Sequence, residues 1–265
     1  MQISLENRKA IVCGATQGIG KSIAEIFVEC GASVTIIARS EEKLISTKAE
    51  LQSKIISENQ TIDYIVVDFD NPEDLKTKLC DYQNNTKFAD ILINNTGGPN
   101  AGAAHKAGLD EFEIAFRRHL ICNQILVQSV VEGMKQNHFG RIINIISTSV
   151  KQPLDNLGVS NTIRGAVANW AKTLSNELGF YNITVNNILP GATNTERLTN
   201  IIKNKSAKSN VTVDLITYDM KKEIPLNRFA ESREIAMGAL YLASEMGSYV
   251  NGINLPIDGG RLGCL

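Results

Sequence analysis

Short runs of consecutive apolar, largely β-branched residues recur along the chain: K-A-I-V-C, S-V-T-I-I-A, Y-I-V-V-D, D-I-L-I-N, R-I-I-N-I-I, I-T-V-N-N-I-L and G-I-N-L-P-I-D. A strand wetted on one face would alternate apolar with polar residues. These runs do not, which predicts strands covered on both faces, as in a parallel sheet. Longer segments with a helical period lie between them. Leu44, Leu51 and Ile55 recur at seven and four, and Ile163, Ala166, Val167, Trp170, Leu174 and Leu178 hold one face over about four turns. The alternation predicts an α/β fold: a Rossmann-type, doubly wound parallel sheet of seven strands, with helices on both faces and right-handed crossovers.

No proline- or glycine-rich linker and no internal repeat divides the chain, so residues 1–265 read as a single domain. One region breaks the pattern. From about 195 to 223 runs a polar, lysine-rich insertion that leaves from the sixth strand, and doubly wound folds bind ligands beyond the carboxyl ends of their strands. It is expected to be a mobile flap over a pocket, with a plain surface excursion as the alternative. A formal net charge of −1 gives no reason to expect nucleic acid or an anionic membrane as partner. The opening M-Q-I-S-L-E-N-R-K lacks an apolar signal core, and no apolar stretch approaches the roughly 20 residues that cross a bilayer, so a cytoplasmic protein is expected. The cysteines are five, an odd number without C-x-x-C spacing, and are expected to be reduced and mostly buried. Three widely spread histidines suggest no metal site.

The first strand runs into C-G-A-T-Q-G-I-G-K-S-I-A, with Gly14, Gly18 and Gly20 at G-x-x-x-G-x-G spacing before a helix. Glycines permit a tight turn and the approach of a pyrophosphate to the main chain, and the following helix offers free N–H groups and a partial positive charge. Thr16, Gln17 and Ile19 fall inside that turn and are expected at the cofactor with the glycines. At the end of the second strand, where an acid would hold the ribose diol of NAD, stand Ala38, Arg39 and Ser40. A guanidinium there grips a phosphate, so NADP(H) is expected to be preferred over NAD(H). The competing reading makes Arg39 a solvated helix-cap residue.

With these residues in view the sequence resembles the short-chain dehydrogenase/reductase family over nearly its whole length. The resemblance implies cofactor contacts for Asp68, at the adenine, and for Asn95 and Gly97 in N-N-T-G. It implies a nicotinamide wall of Pro190, Gly191 and Thr195 in P-G-A-T-N-T, and a catalytic serine at Ser147. The runs I-P-L-N-R-F-A-E-S-R-E-I-A, Y-L-A-S and P-I-D-G-G resemble the β-ketoacyl carrier-protein reductase branch. The family assembles through helices that here would include Phe112 to Met134 and Val159 to Leu178, which implies a homodimer or homotetramer.

One expected feature is altered. The family's Y-x-x-x-K lies thirteen residues beyond its serine; counting from Ser147 gives Ser160, then Arg164. The S-x-x-x-R pattern resembles an atypical subgroup related to those reductases. His119 aligns with the helical asparagine that helps to hold a relay water. An aliphatic hydroxyl is a far weaker acid than a phenol of pKa about 10, and arginine keeps its proton, so the ordinary relay is absent. General acid catalysis contributes about 10²–10⁴-fold, less than the ~7–11 kcal/mol available from holding reactants in register. The expectation is therefore hydride transfer between NADPH and a small carbonyl or alcohol substrate, with Ser147, Ser160 and Arg164 orienting a proton-donating water. His119 or His105 delivering the proton is one alternative. Others are Ser160 as a helix cap with Arg164 solvated, and a catalytically impaired NADPH sensor or partner subunit.

Overall fold

The structure, a computed structural model, describes residues 3–86 and 88–264. All seven apolar runs form strands: β1 (Lys9–Cys13), β2 (Ser33–Ala38), β3 (Ile62–Val66), β4 (Ile91–Asn94), β5 (Gly140–Ile145), β6 (Ile183–Pro190) and β7 (Asn254–Ile257). They pair in parallel in the order β3-β2-β1-β4-β5-β6-β7. The order reverses between β1 and β4, which opens a crevice beyond their carboxyl ends. Alternate residues feed two separate cores. Val12, Ile23, Phe27, Leu44, Ile143 and Leu240 belong to one face, and Ile11, Cys13, Leu92, Leu126 and Val185 to the other. Two-sided burial is why these strands read as unbroken apolar runs.

The helices on the first face are α1 (Gly18–Glu29), α2 (Glu41–Gln52) and a helix at Ser232–Ala243; on the second lie α3 (Pro72–Thr86), α5 (Cys122–Gln136) and α6 (Gly158–Leu178). Between β4 and α5 comes α4 (Leu109–Phe116), joined to α5 by a π-helical turn at Arg117–Ile121. Two sequence boundaries shift. β3 begins at Ile62, because it pairs with β2 from Val34 onward, and releases the chain before Asp68. Ile55 lies beyond α2, though still packed on the core.

The expected irregular insertion is regular. It folds into α7 (Glu196–Ser209) and α8 (Val213–Lys222), capped by the hydroxyls of Thr195 and Thr212, and the helix at Ser232–Ala243 then becomes α9. Leu198, Ile202, Met220, Ile224 and Phe229 bury one another in a small cluster of their own. Spread over a lysine-rich segment, these five apolar positions give no continuous stripe, so the helix pair was hidden in the composition.

A ladder of asparagine amides crosses the carboxyl half of the sheet. Asn94 Nδ2 donates to Asn144 Oδ1 (2.8 Å), Asn144 Nδ2 to Asn187 Oδ1 (2.9 Å) and Asn187 Nδ2 to Asn254 Oδ1 (2.8 Å). These residues are partners in register on β4, β5, β6 and β7. Side-chain amides linked in this way favour a single register, and here they lie immediately before Asn95 and Ile145, which support the site.

Candidate active site

The glycine turn closes against the end of β4. Gly14 has φ +60°, a left-handed conformation that side chains disfavour, and its N–H donates to Ile37 O (2.8 Å). A Cβ on Gly20 would come within 2.3 Å of Gly14 O, so the helix can approach the turn only without one. Asn95 Nδ2 donates to Cys13 O (3.1 Å) and Gly14 O (3.3 Å), tying the turn to the crevice. Gln17 stands at the N-cap of α1 but its side chain caps nothing, and the first turn holds no acid. By contrast α2, α7 and α8 each use a hydroxyl cap and an acid. The open N–H groups and partial positive charge at α1 thus fit the pyrophosphate of a dinucleotide. Ile19 packs on the core, Thr16 is half-buried, and Gly18 approaches Thr195, whose methyl would lie 3.2 Å from a Cβ there.

Arg39 and Asp68 are exposed at the carboxyl ends of β2 and β3. The cap of α2 is Ser40, which accepts a hydrogen bond from Lys43 N, so Arg39 is not the capping residue. Asp68 accepts a hydrogen bond from Asp70 N (3.1 Å). Asp70 is held below the usual carboxylate range chiefly by its hydrogen bond from Arg118, with smaller pulls from Arg117 and Arg39.

Across the crevice Ser147, half-buried after β5, accepts a hydrogen bond from Ser149 N (3.1 Å). Ser160 is the third residue of α6, not its cap, and is 6 % exposed. Arg164, one turn on, is buried rather than solvated; its Nη1 donates to Ile145 O (2.9 Å), two residues before Ser147. Burial, with a lesser push from Arg197, brings the guanidinium down to about 9, so it stays protonated at neutral pH. The entry to α6 is clamped to the loop after β4: Gly102 N donates to Asn156 O and Gly158 N to Gly102 O.

His119 sits in the π-helical turn, 1 % exposed, where such bulges often adapt a helix to a ligand site. It is hydrogen-bonded to the Gly97 backbone, and its buried Nε2 has no partner. Burial first, then Arg164, Arg197 and Arg118, hold the ring well below the usual imidazole range and hence neutral. The imidazolium form is therefore disfavoured as the source of the proton. His105 is exposed on a 3₁₀ turn, Ala104–Lys106. A recess of about 200 Å³ opens beside His119, under Pro99 and Asn100. A wider one, about 360 Å³, lies by Lys9, Thr35 and Tyr82 at the opposite edge of the sheet from the glycine turn.

Pro190 and Gly191 carry the end of β6 past β7, with Gly191 N donating to Ile257 O (2.9 Å), and Thr195 Oγ1 donates to Thr193 O while accepting from Leu198 N. The residue that sequence reasoning passed over is Arg197. From the first turn of α7 it donates through Nη1 to Gly98 O (3.0 Å), bringing a second guanidinium to the loop after β4. Its place directly after P-G-A-T-N-T was the available signal. Of the thiols, Cys13 and Cys122 are buried, with pKa raised by burial, the latter to about 12; Cys80 and Cys264 are exposed, contrary to expectation. Among the described residues no helix is long and apolar enough to cross a membrane.

Comparison with known proteins agrees with this architecture. A family model described as enoyl-(acyl carrier protein) reductase matches residues 14–261. The NADPH-dependent reductase BacG of Bacillus subtilis (strain 168) is 30% identical, over 97% of this chain and 99% of its own. A 3-oxoacyl-[acyl-carrier-protein] reductase, FabG of Aquifex aeolicus (strain VF5), is 28% identical over 98% and 99%. The crystal structure of L-sorbose reductase from Gluconobacter frateurii, complexed with NADPH and L-sorbose, superposes with a TM-score of 0.93 at 27% identity, each chain covered in full. A glycine turn at a reversal of strand order, held by an asparagine from β4, and a family match over most of the chain lead to one assignment: this protein belongs to the short-chain dehydrogenase/reductase family.

Proposed function

We propose that the protein is an NADP(H)-dependent oxidoreductase that reduces a carbonyl, or oxidises the corresponding alcohol, without the family's tyrosine and lysine. The observation that carries this reading is the burial of Ser160 and Arg164 one turn apart on α6, with Arg164 anchored on Ile145 beside Ser147. A solvated arginine and a capping serine would favour a lost site; the buried pair on α6 favours a retained polar one. The relatives' dependence on NADPH, the uncapped amino end of α1 and the exposed guanidinium of Arg39 support NADP(H) and its preference over NAD(H).

Gly14, Thr16, Gln17, Gly18, Ile19 and Gly20 would hold the pyrophosphate, and Arg39 the 2′-phosphate. Asp68, Asn95 and Gly97 would seat the adenosine and the nicotinamide ribose, and Pro190, Gly191 and Thr195 the nicotinamide, with Arg164 on the ribose hydroxyls. The cofactor supplies hydride chemistry when bound. The protein's part is electrostatic and positional: Ser147 hydrogen-bonds the carbonyl oxygen, while Arg164 offers positive charge where the alkoxide develops. Ser160 Oγ is too weak an acid to serve alone, so it and Ser147 orient a water whose proton ends on that oxygen. The neutral His119 Nε2, buried and unfilled, offers that water an additional partner. The segment 195–223 serves as a flap that closes residues 1–265 into one domain around the site. The apolar residues left exposed at Leu109, Phe116 and Ile121 support the homodimer or homotetramer.

A second reading takes a conjugated C=C as hydride acceptor. The description of the matched family favours it, as does a site rich in cations but poor in acids, which suits an enolate better than an alkoxide. The test is NADPH oxidation over a panel of activated ketones, aldehydes and enones with product analysis. We expect turnover that vanishes in Ser147→Ala and falls about 10³-fold in Arg164→Met, within the range of a lost electrostatic contact. Thermal stabilisation by NADPH with no turnover over the whole panel would reject the enzyme and leave a nucleotide sensor or partner subunit.

A further inference from the structure

The arginines around His119 are not alike. Arg118 is spent on Asp70. Arg164 and Arg197, among the described residues, face no carboxylate: Arg164 is buried and feels the charge of Arg197, while Arg197 is exposed at the start of α7. Each is instead anchored on backbone carbonyls, Arg164 on Ile145 O and Arg197 on Gly98 O and Pro99 O, which orients the guanidinium without neutralising it. Glu111, the acid that lines the neighbouring recess, has its carboxylate on Gly108 N (3.0 Å) and caps α4. The third group pointing into the cluster, His119, is neutral and adds no counter-charge.

Burying the unpaired guanidinium of Arg164 costs several kcal/mol, and Arg197, exposed at the start of α7, adds a second uncompensated positive charge nearby, so an anion bound between them would offset both. A dinucleotide does not meet the need at this end, since its phosphates belong at the glycine turn and the groups near Arg164 would be ribose hydroxyls. Gly97, next to the Gly98 anchor, has open space where a side chain would project, with nothing within 4 Å of a Cβ.

We infer that the substrate is an acid: a keto acid whose carboxylate lies between Arg164 of α6 and Arg197 of α7, above the Gly97–Pro99 loop, with its carbonyl toward Ser147. The inference rests on the reductase reading for the reacting group but not for the anion. Two guanidinium groups from different elements, Arg164 held through Nη1 and Arg197 through Nη1 and more weakly through Nη2, keep N–H groups that the two oxygens of a carboxylate would accept from. Because Arg197 belongs to the helix pair and Arg164 to the body of the fold, the acid also draws α7 onto the crevice, which couples binding to closure over the site.

Benzoylformate and methyl benzoylformate carry the same aryl ketone and differ in charge, the neutral ester being intrinsically the more electrophilic. With saturating NADPH we expect kcat/KM for the acid to exceed that for the ester at least about tenfold, against intrinsic reactivity. Arg197→Met should cost the acid about 100-fold, mostly in KM, while the ester changes less than about threefold, and Arg197→Lys should recover part of the loss. Arg197 lies at the exposed start of α7, so the variant is expected to fold, which its circular dichroism and melting check. Equal turnover of acid and ester, or equal losses on both, would overturn the inference. Benzoylphosphonate, the same ketone bearing a phosphonate, separates the anions, and its preference over benzoylformate would overturn the carboxylate. If no compound is turned over, the reductase reading fails by itself. Calorimetry with the NADPH complex then decides the anion: binding of benzoylformate but not its ester, lost in Arg197→Met, supports it, and no binding of the acid rejects it.

Discussion

The two walls of the crevice obey different rules. On the wall built by the glycine turn the residues are there for a backbone reason: Gly14 for its positive φ, Gly20 for the 2.3 Å approach to Gly14 O, Asn95 for the carbonyls of the turn. On the facing wall, which we propose for the substrate, Ser160, Arg164, His119 and Arg197 bring charge and proton affinity, with much cation and no strong acid. Backbone geometry tolerates no substitution without losing the turn, whereas a charge can be supplied by different side chains from different elements.

Three measurements press on that contrast, beyond the turnover and anion tests. The largest effect belongs to the backbone wall. Gly20→Ala forces a methyl against Gly14 O, and NADPH affinity should fall about 100-fold or more, about 2.7 kcal/mol, while the chain remains folded. Affinity within threefold of the parent in a fluorescence titration would show that the turn yields and that the two walls are equally plastic. Next, Arg39→Ala should weaken NADPH about tenfold and leave NADH almost unchanged, since only one carries a phosphate for the guanidinium. Similar losses for both nucleotides would move Arg39 out of the recognition of the phosphate.

The smallest effect is read in stability. His119 has a folded pKa depressed below the unfolded value of about 6.5, so the unfolded chain binds the proton more readily. Its contribution is fully present above pH 6.5 and is lost as pH falls below that value. The loss grows as pH falls from 7 toward 5. His119→Gln should flatten this part of the profile in urea melts at fixed pH. An unchanged slope would mean that the ring is protonated in the folded chain, and the substrate wall would then contain an acid after all.

Much of this was legible in the sequence because the responsible physics is local or periodic. Seven apolar runs gave seven strands, since burial on both faces leaves no polar alternation, and the glycine spacing announced the turn. The count from Ser147 to Ser160 and Arg164 was likewise a matter of chain distance. Harder to read were features whose partners are distant. Ser160 as a cap and Arg164 as a solvated residue were open readings until α6 was seen to begin at Gly158 and to bury both. The segment 195–223 looked irregular because its cluster takes Phe229 from outside it.

The sheet and the glycine turn followed from the chain alone, because hydrophobic period and φ preference are properties of the residues in order. It took the fold to show that Arg164 is buried, that Arg197 reaches Gly98 across 99 residues, and that burial and neighbouring arginines hold the His119 ring well below the usual imidazole range. Charge and proton affinity depend on what surrounds a group in space, on desolvation and on neighbours brought by other elements, and no spacing along the chain encodes those distances.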